Sequence, residues 1–120
     1  MFGVRPSWIG VVQRHGRRYV AFADAGRETL GPPLTAASAP TGFVTLRMRV
    51  VDGRVRYSYS LDDGHTFRRL GTRAVMYFSW WKAARPALFT YNTEAHAARG
   101  GIADFDWVRV RLPPAAAASR

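Results

Sequence analysis

Cysteine is absent from the 120 residues, which excludes a disulfide framework and any thiolate-held metal. Its absence suits a reducing or an oxidising compartment, so it does not locate the protein, and the cytoplasm is the default expectation. Lysine is nearly absent: Lys82 stands alone among 18 basic residues. Acids are few, eight in all. No apolar run approaches the roughly 18 residues that suggest a membrane span, and no membrane partner is expected. The first residues, Met1-Phe2-Gly3-Val4-Arg5-Pro6, hold no long apolar core of the signal-peptide kind. Also missing is any convincing stretch of amphipathic helix. What remains is 48% hydrophobic and 13% aromatic, the composition of a globular chain long enough for one small domain.

The pattern present has a period of two. Val44, Leu46, Met48 and Val50 alternate with Thr45, Arg47, Arg49 and Val51 over 42–51. Val55, Tyr57, Tyr59 and Leu61 alternate with Arg54, Arg56, Ser58 and Ser60 over 54–61. Both read as half-buried strands. Asp52-Gly53 between them is a two-residue hairpin signal, because glycine takes positive φ at no steric cost. Residues 7–13 and 18–23 form an earlier pair around His15-Gly16. Asp62-Asp63-Gly64 makes a turn into a strand over 65–70. Further strands are expected over 86–91 and 102–112, the latter with a bulge or two buried faces near Trp107. The segment 31–40 (GPPLTAASAP) reads as a loop, and 73–82 as a strand with an irregular loop. Short strands joined by turns predict an all-β sandwich or barrel over residues 1–112. The low-complexity tail 113–120 is expected to be disordered.

The net charge is +10. The arginines are scattered, and with few lysines beside many Ala, Gly and Pro they read chiefly as a solvated, GC-coded surface. Two pairs are set apart: Arg47 with Arg49, and Arg54 with Arg56, each line one face of a strand. If the two strands pair as a hairpin, one sheet face carries four arginines, which allows a polyanion-binding reading.

Catalytic chemistry is not visible. Glycoside hydrolysis needs two carboxylates facing across a cleft. Asp104 and Asp106 share a strand face about 7 Å apart, which does not flank a substrate, so both read as structural residues. His15, His65 and His96 sit in or near turns without ligand spacing. Ser60-Leu61-Asp62-Asp63-Gly64-His65-Thr66-Phe67 resembles the Asp-box, S-x-D-x-G-x-T-W. There Asp62 and Ser60 oxygens take turn N–H groups and Gly64 allows the bend. Glu94 and Asp104 are candidate ligands of a structural calcium, which needs six to eight oxygens; no other cofactor is expected.

Two stretches carry a family resemblance. Leu88-Phe89-Thr90-Tyr91-Asn92-Thr93-Glu94, followed by Gly100-Gly101-Ile102-Ala103-Asp104-Phe105-Asp106-Trp107-Val108-Arg109-Val110, resembles a closing signature, LF-x-YNT…GG-x-ADFDWFRV. It belongs to the concanavalin A-like C-terminal domain of family 43 glycoside hydrolases, the β-xylosidases and α-L-arabinofuranosidases. Residues 46–50 and 56–62 are similar to the same domain's LR-x-x-V…RYSYSLDG hairpin. Ser7-Trp8-Ile9-Gly10-Val11 fits its WIGV strand.

The resemblance implies a concanavalin A-like jelly-roll sandwich that packs on a catalytic five-bladed β-propeller. It implies that this domain is not an enzyme by itself. In several xylosidases of that family a loop aromatic of the sandwich closes part of the active-site pocket, and the family's segment reads roughly F-T-G-A-F-V-G. The matching positions are Trp81-Lys82-Ala83-Ala84-Arg85-Pro86-Ala87, which puts Trp81 at the aromatic's place and departs at Lys82, Ala83, Arg85 and Pro86. Trp80 and Trp81 read equally as core or docking aromatics. The resembled domain has strands before its WIGV strand, so the sandwich here is expected to be incomplete, a fragment. The first alternative is a free-standing carbohydrate-binding module with Tyr77, Trp80 and Trp81 as platforms for xylan- or arabinan-type sugars. The second is the basic polyanion binder, with nucleic acid as the less favoured ligand.

Overall fold

A computed structural model of the chain describes residues 5–77, 84–93 and 101–114. The chain divides into two compact units, Met1–Ala87 and Leu88–Arg120. No helix occurs among the described residues.

The first unit is two antiparallel sheets. One is built from β1 (Ser7–Arg14), β2 (Arg17–Asp24) and β3 (Arg27–Pro33), in the order β1-β2-β3. The other has β4 (Thr45–Val51), β5 (Arg54–Ser60) and β6 (Arg68–Arg69) in that order, with β7 (Ala74–Val75) also pairing β5. Three two-residue loops make the hairpins: His15-Gly16, Ala25-Gly26 and Asp52-Gly53. In each, both residues have positive φ, as at His15 (50°) and Gly16 (76°). That backbone twist matches the twist of the flanking strands.

The core sits where the sheets face each other. Phe22 of β2 packs with Val55 and Tyr57 of β5 and Ala74 of β7, and Ile9, Met48, Leu70, Met76 and Ala84 close round them. The rings of Phe22 and Tyr57 lie 5.6 Å apart at 52°, a tilted geometry that aromatic pairs favour. Because both sheets contribute, the arrangement is a β-sandwich. β2 is the central strand of its sheet, and Val20, Ala21, Phe22 and Ala23 are all buried. A polar link also crosses the core. The Tyr57 hydroxyl donates to the Ser7 carbonyl at 2.9 Å and lies 2.8 Å from the Ser7 hydroxyl. This joins β5 to β1 where no water replaces either partner, since Tyr57 and Ser7 are each 3% exposed.

Four elements differ from the sequence reading. β3 extends through Gly31, Pro32 and Pro33, where a loop was expected from residue 31. It is an edge strand, so its prolines need not donate to a second neighbour, and a register shift between Tyr19 and Ala21 absorbs them. Its exposed Leu30 gives no alternation to read. The strand expected over 65–70 contracts to Arg68–Arg69, because the turn at Asp62 consumes residues through Thr66. The strands expected over 86–91 and 102–112 are not formed.

The second unit, described over 88–93 and 101–114, holds no regular strand among its described residues. Phe89 and Tyr91 stack at 5.7 Å. Ile102 is 91% exposed, and Phe105, Trp107, Val108 and Val110 are also exposed. A period of two states which side chains can share a face; a strand further needs a neighbour to take its N–H and C=O groups. Residues 101–114 have no such ladder. Of the tail expected over 113–120, residues 115–120 lie outside the described residues.

Candidate functional site

The turn after β5 is closed by its own side chains. Ser60, 1% exposed at the end of β5, takes the Gly64 N–H at 2.8 Å and the Asp62 N–H at 3.3 Å on its hydroxyl oxygen. That hydroxyl donates to Asp62 Oδ1 at 2.7 Å. Asp62 also accepts the Thr66 N–H at 2.8 Å and the Thr66 hydroxyl at 2.5 Å. Donors surround the carboxylate, so hydrogen bonds from Thr66 and then Ser60 hold the Asp62 carboxyl well below the usual carboxylate range. Asp63 (φ 57°) and Gly64 (φ 82°) supply the left-handed bend. Phe67 follows, half-buried, with the Arg47 guanidinium 3.6 Å over its ring. The acceptor capacity of Asp62 is committed to the turn, which suits a structural role over proton transfer.

Tyr77 is 41% exposed. Arg5 lies 5.5 Å from its ring centroid and donates to its hydroxyl at 3.4 Å. Trp80, Trp81 and Glu94 lie outside the described residues. In the second unit Asp104, Asp106 and Trp107 are exposed, and Arg109 lies 5.6 Å from the Trp107 ring. No cluster of acidic or histidine side chains fit to hold a metal occurs among the described residues.

An open depression of about 550 Å³ lies on the first sheet, lined by Gln13, Arg17, Arg18, Pro33 and Leu34 among others. It has neither a carboxylate for catalysis nor an aromatic ring for a sugar face. Three features were invisible in the sequence. The Ser7–Tyr57 link spans 50 positions and the Arg5–Tyr77 contact 72. Arg69 joins the arginine face through β6, a strand of two residues.

The hairpin register builds that face. Arg49 stands directly opposite Arg56, Arg47 opposite Ser58, and Arg54 opposite Val51. Ser58 in turn pairs with Arg69. Arg47 is held in place by its stack on Phe67 and by a hydrogen bond from its Nε to the Ser58 hydroxyl at 3.2 Å.

The sandwich of the first unit agrees with comparison against known families. No curated protein and no solved structure matches the chain significantly. The family model described as "Beta xylosidase C-terminal Concanavalin A-like domain" matches residues 4–111. That match spans nearly the entire sequence, and the chain therefore belongs to the family of β-xylosidase C-terminal concanavalin A-like domains.

Proposed function

We propose that this domain is a non-catalytic accessory module of a xyloside- or arabinoside-cleaving glycosidase. It packs on a catalytic β-propeller and brings Trp81 to the rim of the sugar pocket. The observation that carries the reading is the family match over residues 4–111. The acids support it: Asp62 is consumed by its turn, and Glu28 is held by Arg14 at 3.0 Å. Differential binding of an oxocarbenium-like transition state needs a free pair of carboxylates across a cleft. The depression on the first sheet is lined by no carboxylate, which favours a contribution of surface and shape.

The test has two arms. The 120-residue chain alone is assayed on nitrophenyl xyloside and nitrophenyl arabinoside, with no turnover expected. It is then mixed with a family 43 propeller expressed without its own C-terminal domain. Complex formation by sedimentation and a rise in kcat/KM are expected, and Trp81→Ala abolishes the rise while leaving the chain folded. Turnover by the chain alone, abolished by Asp104→Asn or Asp106→Asn, overturns the non-catalytic assignment. Absence of any complex, together with salt-insensitive retention on xylan, favours the free-standing carbohydrate-binding module.

A further inference from the structure

The outer face of the second sheet is a field of unneutralised arginines. Alternation along β5 sends Val55, Tyr57 and Tyr59 inward, so Arg54 and Arg56 point outward, and the register brings Arg47, Arg49 and Arg69 beside them. Arg47, Arg49, Arg54 and Arg69 are exposed and Arg56 is half-buried. The one ion pair among the described residues, Arg14 with Glu28, belongs to the first sheet. The other positions on this face of the four strands are Thr45, Val51, Ser58, Ser60 and Val75, none of them acidic. Like charges directly opposite each other destabilise a strand pair, so Arg49 beside Arg56 is held at a cost that a bound anion relieves. Stacking on Phe67 fixes the Arg47 guanidinium in advance, which lowers the entropy lost when it grips a ligand.

We propose that this face binds an acidic polysaccharide through its uronate carboxylates. Guanidinium forks match carboxylates two bonds at a time. The array repeats at about 7 Å along each strand and about 5 Å across the pair, which suits a polymer carrying many charges over a single small anion. The net charge of +10 adds long-range attraction. Single-stranded nucleic acid is gripped by bases stacking on open aromatic rings, and the Phe67 ring beside this face is already covered by Arg47. The preference for a polysaccharide over other polyanions rests on membership in the β-xylosidase family; the charge array does not.

The 120-residue chain is titrated with de-esterified polygalacturonate by calorimetry at about 50 mM and about 300 mM salt, beside neutral xylan and duplex DNA. Polygalacturonate binds, weakens at the higher salt, and outcompetes both. Arg49→Gln with Arg56→Gln weakens it by about tenfold or more. Arg17→Gln with Arg27→Gln, which removes equal charge from the first sheet, weakens it by no more than about threefold. Arg49→Lys with Arg56→Lys keeps the charge but loses the fork and also weakens binding. The Arg49→Gln, Arg56→Gln variant relieves a like-charge pair, so its melting temperature stays at or above that of the parent and lost binding is not lost fold. Equal losses in the two Gln pairs, full retention in the Lys pair, or tighter binding to duplex DNA each overturn the proposal. None of these outcomes bears on the glycosidase reading, which is tested on Trp81 and on hydrolysis.

Discussion

Replacing Tyr57 with Phe removes one oxygen from the middle of the sandwich. The ring stays against Phe22, so packing is preserved and the hydroxyl is isolated as the variable. Its loss removes two hydrogen bonds, to the Ser7 hydroxyl at 2.8 Å and from Tyr57 to the Ser7 carbonyl at 2.9 Å, in a place closed to water. A net hydrogen bond contributes about 0.5–1.5 kcal/mol, so losing both costs about 1–3 kcal/mol. At 2 kcal/mol, a unit of this size loses about 8–16 °C in melting temperature. A pH signature accompanies the loss. Burial, the largest influence, raises the Tyr57 pKa above its ordinary value of 10.0, so the folded state favours the neutral phenol. The corresponding stability is fully present below about pH 10 and is lost as pH rises through the folded value. Thermal melts of parent and Tyr57→Phe from neutral to strongly alkaline pH measure both effects. The gap in melting temperature is expected to narrow at the alkaline end. A gap under about 2 °C at neutral pH, or one that widens with pH, refutes the claim that this hydroxyl ties the two sheets. Ser7→Ala made in the Tyr57→Phe background is expected to cost less than Ser7→Ala in the parent.

Gly71 has φ +76°, and a Cβ there runs into the buried Phe22 ring. Gly71→Ala is expected to cost about 2–5 kcal/mol, combining left-handed strain with overpacking. Gly53 (φ +68°) has open space around it, so Gly53→Ala costs the strain alone, about 1–2 kcal/mol; equal urea midpoints for the two variants would falsify the clash with Phe22. Asp62→Asn weakens the turn at neutral pH because the amide is a poorer acceptor for the Thr66 and Ser60 donors. A carboxyl held low contributes stability above the ordinary carboxylate value and loses it as pH falls through the folded value. The stability gap between Asp62→Asn and parent should therefore shrink from pH 7 towards pH 2, and a constant gap in chemical denaturation rejects the assignment.

The elements that could be read from the sequence are those whose cause is local. His15-Gly16 and Asp52-Gly53 sit between alternating runs, and the hairpins β1–β2 and β4–β5 form there because the signal and the structure share a few residues. The turn at Asp62 closes within seven positions, which is why its letters form a motif. β3 was hidden because an edge strand with prolines needs no alternation. Residues 102–112 mislead in the opposite direction: Ala103, Phe105 and Trp107 alternate well, but a ladder partner is a property of the rest of the chain. The positions proposed for the sugar pocket have no period at all. They are legible through family likeness alone, as side chains whose role depends on a surface that another domain supplies.

The two prolines of β3 also govern how copies of this chain meet. A sheet edge recruits strands from neighbouring molecules through its row of free donors and acceptors, and proline breaks that row. Along β3, Pro32 and Pro33 leave a template with gaps. Along β4, at the edge of the other sheet, Arg47 and Arg49 repel a like-charged copy. The remaining edge of the first sheet, β1, carries Trp8, Ile9, Val11 and Val12 and no charge until Arg14. Crowded chains, during synthesis or at high concentration, thus meet in β1 a seam that neither proline nor charge guards, and a single charge placed there, such as Val11→Lys, should improve solubility more than the same change on β3 or β4.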